Sequence, residues 1–522
     1  MKRFFLLLLL ASFLSVQAQT IQVEGLQSGS WGADTVLVVG DVTVFGSLKV
    51  NPGTVVLFDG FYGIEVGNGA SFSACGTESD SIVFTVTDTT GFFKYQSVYG
   101  GWNGFQLHKV GSFLLDYCIL EYGKAFPDED WFGGVLNITS CDNVEILHST
   151  LRNSVAHERG GALCALDSKI QMRGCAINHN TVFNEENMYI YGGGACFLRC
   201  DVEMSEMEFR GNKAPTIGGA LSLDSCSVVI DRSVFIDNLG VNGGGLYLMR
   251  SEDKKCRMSN LLFDDNYSAH FGGGFAIADA SPLIYNVLVT NNSSEGVSCN
   301  GAFFYGHSSP QLANCIIYGN YFPENSQHID TAQMWVWTMD DYAPEFRNCL
   351  IEGGLKYIHS GELIQVFENI IDADPLFVDA EHHDFRLQED SPCRDAGTMD
   401  LPDFMIDGLD LGGLPRVSNQ HIDIGPYEYS GATVFEQVAA PFARLVGNPL
   451  GTFSRIELDK AVKGEVTVSF YDLTGRCGAS KVFRGDETRS LAIGGLVEHL
   501  KSGVYLVEVK NECGICTLKA VK

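Results

Sequence analysis

Between residues 160 and 320 one short phrase returns six times. The stretch "GGALSLDSCSVVIDRSVFIDN" at 218–238 is typical: a glycine pair, short apolar strings and a closing Phe-x-x-Asn. Kindred stretches begin at Gly160, Gly193, Gly243, Gly272 and Asn300. Glycine pair and closing asparagine lie 20 residues apart in four copies, 19 in one and 23 in another, whereas the link from Asn to the next pair varies from 5 to 13. Length variation gathered on one corner is the mark of rigid coils whose insertions hang from a single edge.

Within a copy the third and fifth positions after the first glycine are apolar almost throughout: Leu163 and Ala165, Cys196 and Leu198, Leu221 and Leu223, Leu246 and Leu248, Phe275 and Ile277, Phe303 and Tyr305. Period two over about four residues means short strands with one face inward. Turn residues recur too often for helices of ordinary length. Parallel strands stacked rung upon rung satisfy this grammar, and stacking aligns equivalent residues. Asn180, Asn212, Asn238, Asn266, Asn292 and Asn320 are therefore expected to form an internal structural ladder, with glycine supplying positive φ at the corners.

At this point the residues resemble right-handed parallel β-helix proteins, and the Gly-Gly-Ala and Phe-x-x-Asn pairing is similar to the repeats of polymorphic outer-membrane adhesins. The resemblance extends to opening coils such as "GDVTVFGSLKVNPGTVVLFDG" and to closing coils, "DADPLFVDAEHHDFRLQEDSPCRDAG" and "HIDIGPYEY". It implies an all-β chain: a parallel β-helix over 19–430, a linker over 431–445, and a small antiparallel β-sandwich over 446–522. The last segment resembles the sorting domain of type IX secretion cargo through Asn448, Pro449, the "YDLTGR" hairpin with Asp472, Gly475 and Arg476, and "LKSGVYLVEV" with Gly503 and Tyr505. That likeness implies the type IX secretion machinery as a partner, with release or display at the cell surface. Cys513 and Cys516 depart from the family pattern. With no second ligand pair nearby, they read as a disulfide or two free thiols rather than a metal site.

Residues 1–18 place Lys2 and Arg3 before an apolar run and a small-residue end, the order of a cleaved signal peptide. No later run is long and apolar enough for a membrane-spanning helix. Acidic residues outnumber basic ones 64 to 35, which argues against a nucleic-acid partner. After Tyr429 the balance is 12 basic to 10 acidic, so the excess of acid belongs to the repeat region. Export makes disulfides possible among the 16 cysteines, with Cys200 and Cys226 at similar places in consecutive copies, but small buried hydrophobes is an equal reading.

Chemistry is harder to place. The residue between the two inward positions points outward and is aromatic in three copies, Phe197, Tyr247 and Phe304. Trp335 and Trp337 in "MWVWTMDDY" share a strand face, and Trp131 sits in an insertion; all six are candidates for stacking on sugar rings. Asp231, Arg232, Lys254, Lys255, Arg257, Asp264 and Asp265 are the scattered residues from which a lyase would be assembled. His382 and His383 lie where a closing turn is expected, without the spacing of a zinc site. The expectation is a non-catalytic adhesion or glycan-binding platform with a glycan or host-surface ligand and no cofactor. The alternative is a carbohydrate-active enzyme, a calcium-dependent polysaccharide lyase. Acidic groups such as Asp128, Glu129 and Asp130 read equally as calcium ligands and as a charged corner.

Overall fold

The computed structural model describes all residues except 1–18, 95–96, 127–131, 184–190, 253–254, 296–298, 323–332, 340, 361–362, 402–407, 418–419, 431–442, 447–454, 473–476, 498–499, 501–503, 512–513 and 522. The signal-peptide reading and Trp131 thus lie outside the described residues. Two compact units are present, Met1–Gly431 and Ala432–Lys522.

The first unit is a parallel β-helix: 33 of its strands join one sheet, and further strands form two three-stranded sheets and a two-stranded one. Each coil contributes three short strands, giving three faces. Following one coil, Ala176–Asn178 lies on the first face, Ala195–Leu198 on the second and Asp201–Ser205 on the third. Each pairs in parallel register with its equivalent one coil away, as in Leu163↔Ala195↔Leu221↔Leu246↔Phe275↔Ala302↔Met334 on the second face.

The recurring Phe-x-x-Asn forms two stacks at the corner between the first and second faces. Phe209, Phe235 and Phe263 stack at 4.8 and 4.7 Å between centroids inside the core. Such ring pairs add roughly 1 kcal/mol each beyond the area they bury. Beside them, Asn180, Asn212, Asn238, Asn266, Asn292 and Asn320 form a continuous buried ladder. From Asn212 onward each side-chain oxygen accepts both the backbone N–H and the side-chain amide of the Asn one coil before, as Asn238 Oδ1 does from Asn212 at 3.0 Å each. Each amide also donates to the carbonyl of the Phe-position residue one coil earlier, as Asn238 does to Phe209 at 3.0 Å.

Small side chains serve the other corners. Cys141, Ser168, Cys200, Cys226 and Ser251 occupy equivalent positions, and the N–H of Cys200 meets Cys226 Sγ at 3.4 Å. Cys200 and Cys226 are free thiols, each donating to a carbonyl two residues before it. Burial pushes the Cys141 thiol up, and that of Cys175, at the corner between the third and first faces, to about 12.

Register corrects two of the inward assignments. Gly160, Gly192, Gly218, Gly243 and Gly272 are the equivalent left-handed corner residues, so the copy taken to start at Gly193 starts at Gly192. Asn300 likewise matches Gly273, whose own chain neighbour Gly274 bonds to Gly301. A one-residue slip exchanges the two sides of a strand. Phe197 and Phe304 are therefore inward core residues, fully buried, while Cys196, Leu198, Phe303 and Tyr305 fall on the outward side.

The closing segment departs from rung stacking. The last strand of the large sheet is Val366–Glu368. Beyond it, Phe377–Asp379 and Asp384–Leu387 pair antiparallel, and Phe377, Phe385, Leu387, Cys393 and Ile424 pack against Leu262, Leu288, Ile316 and Leu350. Those four lie on the outward side of the first face, where earlier coils carry Thr150, Ala176 and Glu208. The outer surface turns apolar there and must be covered.

In the second unit Arg455–Asp472 pairs antiparallel with Ala443–Val446, Cys477–Ala492 and Val504–Asn511, which in turn pairs with Gly514–Val521. Val468, Phe470, Val507 and Val509 are at its core, with Tyr505. The chain is all-β, a parallel β-helix followed by a small antiparallel unit.

Candidate functional site

Like the third-to-first corner, with Asp116–His148 and Glu206–Arg232, the corner between the second and third faces carries a row of charged side chains. Its turn is made by the seventh residue after the first corner glycine, and Asp167, Arg199, Ser225, Arg250 and Asp279 all take left-handed backbone there, with φ of 49 to 57°. Stacked left-handed turns aim successive side chains along the rod axis, about 4.8 Å apart. Ion pairs consequently run from coil to coil. Arg199 donates to Asp167 from Nε at 2.7 Å and from Nη2 at 2.9 Å. Arg250 makes the same two-pronged contact with the buried Asp224, its Nε at 2.8 Å. The Arg199 guanidinium holds the Asp167 carboxyl below its ordinary value, and both arginines are held more firmly protonated by their partners.

Further along this corner, Glu252, Asp279 and His307 bring one ligand atom each within 4.8 Å of one another. His307 Nδ1 is 3.2 Å from Asp279 and 3.7 Å from Glu252, and its backbone N–H donates to Asp279 at 2.9 Å. Two carboxylates and an imidazole nitrogen do not suit calcium, which takes roughly six to eight oxygens; they suit a softer divalent ion or a proton-handling imidazole.

Beside the corner, on the outward side of the second face, lies an aromatic shelf. Trp335 and Trp337 stack with centroids 5.3 Å apart and planes 10° apart. Tyr305 meets Trp337 edge-on at 5.8 Å, and Phe303 lies 5.7 Å from Trp335. Trp337 is 48% exposed. Tyr247 belongs to the same cluster, and burial first, then Asp279, pushes its hydroxyl up to about 12. Of the six aromatics singled out from sequence, Tyr247, Trp335 and Trp337 come together here. At the other end of the strip is a cavity of about 400 Å³ lined by Arg159, Tyr191, Cys196, Arg199, Asp224 and Arg250 among others.

The scattered lyase candidates do not converge. Asp231 accepts from Ser259 and Asn260, Arg232 pairs with Glu206 and Asp231, and Asp264 is buried against His383 at 2.6 Å and Asn291 at 2.9 Å. These groups tie corners together. Lys254 and Asp128, Glu129 and Asp130 lie outside the described residues, as do Asn448, Pro449, Gly475, Arg476, Gly503 and Cys513. Asp472 pairs with Tyr505 across the C-terminal sheet.

Sequence reasoning missed Asp167, Arg199, Asp224, Arg250, Glu252, Asp279 and His307. Their signal was present as the sixth to ninth positions after each corner glycine, once the copy at Gly192 is set in register.

A family model described as a right-handed beta helix region matches residues 129–322. That span contains most of the corner and part of the shelf, and with the strand pairing it makes this region a right-handed parallel β-helix. No curated protein matches the chain. Among the described residues no helix is long and apolar enough to cross a membrane.

Proposed function

We propose that the protein is an exported carbohydrate-active enzyme of the polysaccharide-lyase kind, acting on an acidic glycan laid along the corner and shelf of the second face. The observation that carries this is the row of guanidinium, carboxylate and imidazole groups that successive coils set along one corner beside stacked tryptophans. The charged groups of the corner hold the carboxylate of a uronate unit and so acidify the adjacent C–H. The His307 imidazole accepts that proton, the C4–O bond breaks as a C4–C5 double bond forms, and the departing oxygen takes a proton from the Tyr247 hydroxyl. Tyr247 supplies a hydroxyl that carries its proton at neutrality, although burial, which pushes its pKa up to about 12, makes it a weaker acid than an ordinary phenol.

In a turnover assay on polygalacturonate, absorbance of the unsaturated product is expected to grow with the mature chain. His307→Gln is expected to slow that growth by about a hundredfold or more, with polymer retention changed by less than about threefold. An equal rate for His307→Gln contradicts the role given to the imidazole. Retention with no absorbance growth in the native chain favours a second reading, a non-catalytic glycan-binding or adhesion platform, to which the exposed Trp337 shelf is suited. Both readings include export by type IX secretion, supported by the sequence of 446–522 and by the separate compactness of the C-terminal unit.

A further inference from the structure

We infer that the cavity at Arg159, Arg199 and Arg250 is the subsite for an anionic substituent, carboxylate or sulfate ester, of a sugar unit. This rests on the glycan reading above. Three guanidinium groups stand there with two carboxylates, Asp167 and Asp224, leaving one positive charge in excess. The chain as a whole carries a formal charge of −29. A net positive pocket on such a rod draws an anion to itself, since charge focused in a cavity outweighs the diffuse repulsion of distant, screened groups.

Arg159 differs from its two neighbours. Arg199 and Arg250 each have both prongs on a carboxylate. The Arg159 guanidinium lies 5.0 and 5.4 Å from the ring centroids of Phe132 and Tyr191 instead. Its Nε is buried with no hydrogen-bond partner, and no carboxylate among the described residues pairs with it. A buried donor left unmade is costly unless an acceptor completes it. The aromatic faces fix its plane and leave the in-plane donors directed, the geometry in which an arginine binds a carboxylate or sulfate through two oxygens. A neutral sugar would leave Arg159 unanswered.

Calorimetric titration of the mature chain with inorganic sulfate, trigalacturonate and galactotriose tests this. Binding of sulfate or trigalacturonate is expected, with galactotriose at least about tenfold weaker; which anion binds tells a sulfated glycan from a uronate. Arg159→Met keeps the stacked stem and removes the charge, and is expected to weaken anion binding about tenfold or more. Arg199→Ala, at a half-exposed side chain, is expected to weaken it less. Unchanged anion binding in Arg159→Met, equal affinity for galactotriose, or no anion binding by the native chain overturns the inference. Polymer retained equally by native chain and Arg159→Met sinks the pocket but leaves the glycan reading standing. Anion binding without any action on or retention of polymer sinks the glycan reading and leaves the pocket an anion site.

Discussion

Replacing Arg416 by methionine is expected to destabilise the closing segment by about 3–5 kcal/mol, the loss found when one partner is taken from a buried ionic group. Arg416 is fully buried, 3.0 Å from Glu428, and its Nη2 donates to the carbonyls of Asp423 and Gly425 at 3.1 and 2.7 Å. Asp410, Asp423 and Glu428 are also buried. Asp410 accepts from the N–H of Leu414 and Glu428, and Asp423 from Asp395 and Tyr429, so the carboxylates shape the turns of "HIDIGPYEY". Without the guanidinium they are left as uncompensated buried charge. Hydrogen exchange over 372–429 reads the result directly. Protection in that segment should fall steeply while the coils before Gly272 keep theirs, because a solenoid loses stability locally. Unchanged protection in Arg416→Met contradicts the assignment.

The same cluster sets a pH dependence. One positive charge cannot balance three carboxylates, and burial, against the pull of Arg416 and with Asp423 and Asp410 adding to it, pushes Glu428 from its ordinary value up to about 8. A carboxyl whose pKa is higher folded than unfolded contributes stability that is complete below the unfolded value and is lost as pH rises through the folded one. Stability of the closing segment is therefore expected to decline between about pH 4.5 and about pH 8, and Glu428→Gln to flatten that decline.

Asn238→Ala, in the middle of the internal ladder, is expected to cost about 3–4 kcal/mol. The substitution orphans the backbone N–H and one amide proton of Asn212 and removes the donor to the Phe209 carbonyl. Each buried group left unmade costs roughly 1–3 kcal/mol, with some relief from relaxation. Urea unfolding followed at the tryptophans measures it. A loss under about 1 kcal/mol means the ladder is not a structural element of the core.

The coil, its corner glycines and the asparagine ladder could be read from one sequence because each repeats within a few residues of its period. Parity was harder. Three glycines at 192–194 leave two ways to start a copy, and choosing Gly193 put Phe197 outside when it lies in the core. The polar corner was invisible for a related reason: Asp167 meets Arg199 and Asp224 meets Arg250 across whole coils, so neither pair exists until the register is fixed. The covering segment had a trace in the chain, the change at the outward first-face position from Thr150 and Glu208 to Leu262, Leu288, Ile316 and Leu350. That trace too needs the coils aligned before it can be seen.

The central claim is that an acidic glycan lies along the second-face corner and shelf. Hydrogen exchange of the mature chain with and without oligogalacturonate or a sulfated oligosaccharide tests it most directly. Slower exchange is predicted along the outward second-face strands from Leu163–Leu166 to Met334–Thr338, with the third-face strands and the C-terminal unit unaffected. Protection confined to the third face or the C-terminal unit, or none with any acidic glycan, would contradict it.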